Sequence, residues 1–419
     1  MKKFAVIIIL FIALLFTACE KNKTTEPPDT NPVSISSPTN GSTVTGTVTV
    51  RASTNADYDI NRVVFYIDGD STSTDLSSPY IYEWDTGIYP TSSTHTVRAK
   101  AYDDTSSYLS NTVTVKVTQP SANEFIYQAS ISLTAPALRV AAEGGYLYIV
   151  MGTDGLQVLD YSTPASPVSI YRYVSAGNMR GVDAHSPYLV TAEYDNGIRA
   201  YEIYPPQDTF YVGPLMVTAG RSWNVKIVGN LVFVADNDRL TIASINASNY
   251  SLSLVGQFVI SSVSVKDVDV DTSTNIAYVL ENNRVSAYNV SNPASPAYIN
   301  QYTSFTGEAK AISTYGHRVF IATADKLMML TDSLTFVTSV TQQSGYTGVY
   351  AIANVVFVSQ GGSNGGARAF SYSTGSTLTE LDTHIVDESC NDITYAGGYV
   401  FLAGQTKVDI LGFTYAATN

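Results

Sequence analysis

Seven short apolar runs recur along the last two thirds of the chain, and their spacing limits the possible fold more than any other feature. They begin at Tyr146 (YLYIV), Tyr188 (YLVTA), Leu231 (LVFVA), Ile276 (IAYVL), Arg318 (RVFIA), Val355 (VVFVS) and Tyr399 (YVFLA), with starts 42, 43, 45, 42, 37 and 44 residues apart. That period is the size of a four-stranded propeller blade, a unit that buries its faces only against its neighbours. Each unit keeps one internal order. An inner strand led by a β-branched residue (Val140, Val182, Val225, Val268, Ile312, Val349, Ile393) precedes the run; a third strand such as residues 156–160 or 284–288 follows, then an outer strand such as residues 168–173. Thirty tyrosines among 419 residues agree with strands, because aromatic side chains suit a pleated, half-buried surface.

The seventh unit supplies only three strands, residues 392–396, 399–403 and 407–413, before the chain ends. Residues 125–134 (FIYQASISLT) form an alternating strand without a unit of its own. Pairing the two removes two exposed sheet edges and closes a ring, so seven blades are expected. Two units share a connector, Asp160-Tyr-Ser-Thr-Pro-Ala-Ser-Pro167 and Asn289-Val-Ser-Asn-Pro-Ala-Ser-Pro296. Together with YLYIVMGTDG, the stretch GLQVLDYSTPASPV resembles the LVIVD-repeat β-propellers of prokaryotic cell-surface proteins, and the resemblance extends over residues 124–419.

Residues 33–118 alternate strictly in short runs, as in TVTGTVTV and NTVTVKV, which places one face inward and the other outward in an antiparallel sandwich. About seven strands fit this length, as in an immunoglobulin-like fold. The order of GSTVTG, VVFYIDGD, YEWDT and HTVRAKAYD resembles the bacterial Ig-like domains that act as spacers in exported proteins. His95 is expected at a turn or edge. Asp68, Asp70, Asp103 and Asp104 are read as turn residues, with calcium the weaker alternative. The fold class is therefore all-β: an immunoglobulin-like sandwich followed by a seven-bladed propeller.

The chain starts Met1-Lys2-Lys3, continues with an apolar run over residues 4–16 and reaches Cys19 through small residues. Thirteen apolar residues are too few to span a bilayer and read as the core of an export signal. FTAC resembles the lipobox of bacterial lipoproteins. The resemblance implies cleavage after residue 18, lipidation of Cys19 and a protein held at the cell envelope, on the outer membrane or the cell surface, with residues 19–32 as a flexible tether. Cys390 is then the only other cysteine, so no intrachain disulfide forms, and it is expected as a buried apolar residue. The formal charge of −13 argues against a nucleic-acid partner.

No catalytic or metal-binding pattern stands out. His185, His317 and His384 lie in different units without ligand spacing. Ser363 sits in GGSNG between two strands, where a nucleophile elbow would need a strand-to-helix turn. Asp267, Asp269 and Asp271 share one strand face and are read as lining a wet channel rather than as a calcium site. No cofactor is expected. Two residues before each inner-strand Val or Ile stand Leu138, Arg180, Trp223, Lys266, Lys310, Thr347 and Asn391; one residue before stand Arg139, Gly181, Asn224, Asp267, Ala311, Gly348 and Asp392. In a propeller these positions ring one mouth. Arg139, Arg180, Trp223, Lys266, Lys310 and Asn391 are thus the candidate ligand-binding residues, able to hold an anionic or sugar-like group by charge-assisted hydrogen bonds and stacking. The function expected is a non-catalytic surface lipoprotein binding a glycan or an envelope protein. The alternative is a glycan-active or hydrolytic propeller using Asp183, Asp267, Asp269 and Asp392.

Overall fold

The computed structural model describes residues 31–414 except 77, 79, 119–123, 175, 204–211, 261–263, 343 and 373–376. The export segment, Cys19 and most of the tether lie outside the described residues. Every regular element among those described is a β-strand.

Residues 33–117 form two sheets. One orders Val33–Ser37, Thr47–Thr54 and Ile81–Asp85; the other runs Thr43–Val44, Val113–Val117, Thr94–Tyr102, Arg62–Ile67 and Asp70–Asp75, with Ser107–Leu109 also on Thr94–Tyr102. Alternate residues of Thr94–Tyr102, from His95 to Ala101, point inward onto a core built around Trp84, Phe65 and Val50. The sandwich has nine strands where about seven were expected. Thr43–Val44 and Ser107–Leu109 are two and three residues long, too short for alternation to show. His95 also departs from expectation. It lies inside a central strand, buried, with Nδ1 2.6 Å from Asp68 Oδ2 and its ring 4.0 Å from that of Tyr89.

Seven further sheets follow among the described residues. The first orders Arg139–Glu143, Tyr146–Val150, Leu156–Asp160 and Val168–Tyr173. The others repeat that antiparallel order from inner strands Gly181–His185, Ser222–Val228, Val265–Asp271, Ala309–Tyr315, Tyr346–Ile352 and Cys390–Ala396. In the second sheet the outer position holds, among the described residues, isolated bridges from Val212 to Tyr201 and from Met216 to Ile198. All seven apolar runs are the second strands of these sheets and begin at the residues named above. They are buried almost end to end, because each is covered on both faces; this is why they read as continuous runs rather than as alternation. The seven leading Val and Ile residues are likewise buried.

The last sheet takes its outer strand from far upstream. Glu124–Ser132 pairs antiparallel with Lys407–Thr414, from Glu124 opposite Thr414 to Ser132 opposite Lys407. Phe125 packs between Phe413 and Phe357, and Ser130 donates to Asp409. Neighbouring inner strands touch in chain order, and Cys390–Ala396 lies against Arg139–Glu143.

Side chains stitch every adjacent pair of inner strands. Glu143 Oε1 accepts from the Ser186 amide at 3.3 Å, Asp183 Oδ2 from the Ile227 amide at 2.7 Å, and Asp267 Oδ1 from Asn224 Nδ2 at 2.6 Å. Asp267 Oδ2 then accepts from the Ile312 amide at 3.1 Å, and Ser313 Oγ from the Ala351 amide at 3.0 Å. Thr347 Oγ1 donates to the Cys390 carbonyl at 2.8 Å, and Asp392 Oδ2 accepts from the Val140 amide at 3.0 Å, which joins the seventh strand to the first. These bonds replace with side chains the ladder that inner strands of different sheets do not share.

The sandwich rests on the turns at the trailing ends of the inner strands. Thr47 Oγ1 donates to the Gly397 carbonyl at 3.3 Å, and Ile88 enters the core of Phe357, Ile393 and Phe413. Asp85 lies in this junction. Burial pushes its carboxyl up to about 7, although the Gly87 amide, donating to Oδ1 at 2.8 Å, pulls the other way; Oδ2 is buried without a partner among the described residues. The folded protein therefore keeps a proton that the unfolded chain loses, and stability falls as pH rises from 3.8 through about 7. Asp85→Asn is expected to flatten that fall, gaining as much as about 4 kcal/mol on the wild type between about pH 4 and pH 8 in urea unfolding. Parallel curves for the two proteins would refute this.

Candidate functional site

A repeated irregularity builds a cavity at the leading ends of the inner strands. In five of them the ladder slips by one residue near its start. Ser222 pairs with Asp236 and Asn224 with Ala235, leaving Trp223 unpaired. Lys266, Lys310, Thr347 and Asn391 are the extra residues at the same point of their own strands. Such a bulge re-aims the side chain it releases and is common at the rims of sheets and beside functional sites. In the two shorter inner strands, Leu138 and Arg180 stand just before the first paired residue.

Arg139, Arg180, Trp223, Lys266, Lys310 and Asn391 line one opening of about 250 Å³, together with Leu138, Glu308 and Ala309. The six residues singled out in the sequence thus meet, each from a different sheet. Thr347 does not join them, because its hydroxyl is engaged by the Cys390 carbonyl and by Ser359 Oγ at 2.8 Å. Close approach also explains Gly181. A Cβ there would lie 2.5 Å from Asn224 Cα, so the two inner strands meet only over a glycine.

The cations in this cluster differ in their partners. Arg139 is closed off: Nη1 donates to Asp392 Oδ1 at 3.0 Å, and Nη2 lies 3.6 Å from Asp267 Oδ2. Burial opposes its charge, but the two carboxylates outweigh that and leave its pKa raised; burial likewise raises Asp267 and Asp392 against the pull of Arg139. Lys310 Nζ donates to Glu308 Oε2 at 2.8 Å, and Lys266 Nζ lies 3.8 Å from Glu308 Oε1. Arg180 has no carboxylate partner among the described residues, and its Nε is buried and unpaired. Its guanidinium carbon lies 5.3 Å from the Tyr194 ring and 5.8 Å from Trp223. Asn391 is committed to the fold, donating to the Ala137 carbonyl at 2.7 Å and accepting from Gln405 at 2.9 Å.

Lys266 Nζ sits 5.0 Å from the Trp223 ring centroid, with Arg180 also nearby and Tyr194 edge-on at 4.9 Å. The indole thus stands among cations held near its π system. Glu308, absent from the residues expected in the sequence, precedes the strand Ala309–Tyr315 and reaches the cavity beside the bulge residue Lys310.

The four aspartates of the hydrolytic alternative all take part in joining the inner strands. Asp183, Asp267, Asp269 and Asp392 each accept a main-chain amide from the next inner strand, Asp269 from Thr314 at 2.7 Å. Deeper along the inner strands Lys226 Nζ lies 4.0 Å from Asp183 and 3.5 Å from Asp269. Those two carboxylates hold the ammonium pKa well above its ordinary value, whereas burial raises that of Asp183. Among the described residues no group of three or more His, Cys, Asp or Glu is placed to hold a metal ion. Ser363 lies in a hairpin between Val355–Gln360 and Gly366–Tyr372. Cys390 opens its strand, and burial pushes its thiol up to about 12, so it is not poised as a nucleophile.

Residues 32–99 match the family described as bacterial Ig domain, and residues 136–175 and 219–258 match the LVIVD repeat. The first repeat match contains the connector at Pro164. The second falls on the third unit, not on the unit of Pro293 that carries the near-identical connector, so the pattern recognised extends beyond that connector. No curated relative matches the chain. Among solved structures, the WD40 β-propeller domain of Doa1 superposes with a TM-score of 0.57 at 12% identity, covering 69% of this chain and 97% of that one. Saccharomyces cerevisiae Sqt1 does so with a TM-score of 0.54 at 10% identity, covering 70% and 99%. At these identities the likeness concerns fold alone. The chain is thus similar to the bacterial Ig domain and, further along, to the LVIVD repeat, and its described residues form an all-β structure with β-propeller neighbours.

Proposed function

We propose that this chain is a non-catalytic binding module of a bacterial cell envelope. In this reading residues 124–419 are one seven-bladed propeller closed by its upstream strand, residues 33–118 are a spacer, and lipidated Cys19 anchors both through the tether of residues 19–32. The observation that carries the reading is positional. Six side chains from six sheets converge at the leading ends of the inner strands, whereas the Ig domain packs on their trailing ends. The cavity faces away from the spacer, where a tethered protein meets outside partners. Its basic lining within an acidic chain suits an anionic glycan or an acidic envelope protein.

The soluble chain beginning at Glu20, offered to a panel of glycans and envelope proteins with turnover followed in parallel, is expected to bind an anionic partner without converting it. Replacing Arg180 and Lys266 together with Ala is expected to weaken that binding roughly tenfold or more, since each charge-assisted bond contributes about 1 kcal/mol or more. Unchanged affinity in the double variant would remove the site from the account.

A further inference from the structure

Glu308 differs from every other carboxylate near the cavity. The aspartates beneath it are buried and accept main-chain amides, so they cannot leave without unpicking the fold. The Glu308 side chain is 51% exposed and, among the described residues, pairs only with Lys266 and Lys310. The hydrogen bond from Lys310 holds its carboxyl below the usual range, so it stays ionised. An exposed pair of this kind is weak and exchangeable. Arg180, by contrast, has no carboxylate partner among the described residues and stands against Tyr194 and Trp223 with its Nε unpaired. Among the described residues the cavity thus holds one cation without a carboxylate and two lysines occupied by a carboxylate that is free to move.

We propose that the cavity takes a carboxylate-bearing sugar, with Arg180 receiving the carboxylate and Glu308 serving as a built-in competitor that occupies Lys266 and Lys310 until the ligand displaces it. This rests on the binding reading above and adds the ligand's charge and the group it must displace. An acidic sugar is favoured over an acidic peptide by the wall. Among its described lining residues only Leu138 and Ala309 are aliphatic, whereas protein hot spots seat a large apolar anchor in a desolvated pocket. A volume of about 250 Å³ suits a single ring. Donors from Arg180 and the lysines, with Glu308 swung aside as an acceptor, match a ring bearing a carboxylate and several hydroxyls.

The test is calorimetric titration of the soluble full chain with an oligogalacturonide, a neutral galactose oligomer and a polyglutamate peptide. It uses wild type, Glu308→Gln, Arg180→Met and Arg180→Gln, each first shown to keep the wild-type unfolding midpoint. The oligogalacturonide is expected to bind about tenfold more tightly to Glu308→Gln than to wild type, because an ionic competitor is removed. Both Arg180 variants are expected to lose about tenfold or more, and the neutral oligomer to bind far more weakly. Equal or weaker binding by Glu308→Gln, with the Arg180 loss intact, overturns the competitor and leaves the binding reading standing. Equal binding of the neutral oligomer overturns the carboxylate requirement. Tighter, Arg180-dependent binding of polyglutamate overturns the sugar in favour of an acidic peptide. If no anion binds wild type or Glu308→Gln, both this proposal and the assignment of the site fail.

Discussion

Arg139→Ala is expected to destabilise the repeat portion by about 3–5 kcal/mol, the cost of leaving a buried charge without its partner. The guanidinium lies between Asp392 and Asp267, whose side chains are 9% and 4% exposed, and both also hold main-chain amides of the next inner strand. Without Arg139 those carboxylates either stay charged in a poorly solvated place or take up protons, and burial already raises their pKa. Protonation relieves the first cost, so the loss should be larger at pH 8 than at pH 5. Adding Asp267→Asn and Asp392→Asn should recover part of it, because neutral amides need no counter-ion. Urea unfolding of the single and triple variants at both pH values checks this. A single variant within about 1 kcal/mol of wild type would mean that the triad is solvated.

Unfastening the upstream strand should have an effect of similar size. Glu124–Ser132 pairs with Lys407–Thr414 at eight positions, and it is the outer strand of the last sheet. Ser130 and Ile131 are adjacent, so one of their two amides faces the ladder whichever way the strand is hydrogen-bonded. Replacing both with Pro removes that donor and obstructs pairing in the middle of the strand. If the strand comes away, several ladder bonds of about 1 kcal/mol each are lost, together with the Phe125 contacts, and Lys407–Thr414 becomes an open edge. The unfolding midpoint should drop by roughly 10 °C or more. Association at high concentration should follow, detectable by light scattering. A midpoint within about 2 °C of wild type would show that the strand contributes little.

What the sequence made legible was whatever repeats. The second strands begin at the residues that open the seven apolar runs, because a strand covered on both faces must be apolar throughout. Counting back from the inner-strand Val and Ile gave residues that line one cavity, since equivalent positions in successive sheets lie at the same end of the inner strands. The bulges that aim Trp223, Lys266, Lys310 and Asn391 were not legible. A bulge is a property of register between two strands, and neither strand's residues alone disclose the slip. The same limit hid the pairing of Glu308 with two lysines from adjacent units, the closure of Arg139 by Asp392 across 253 positions, and the cations that cover Trp223. The burial of His95 was not legible either, because its partner Asp68 comes from a different hairpin.

The proposed propeller requires the repeats to form one ring fastened by its two ends. Ser132 and Lys407 are direct cross-strand partners although 275 positions separate them. Replacing both with Cys in the soluble chain places two thiols within disulfide reach, while Cys390, the single native cysteine beyond the tether, stays buried. Oxidation followed by peptide mass spectrometry is predicted to find the 132–407 disulfide within a monomer in nearly every molecule. Free thiols at both positions, or disulfides only between separate chains, would contradict the ring and with it the convergence of the basic side chains.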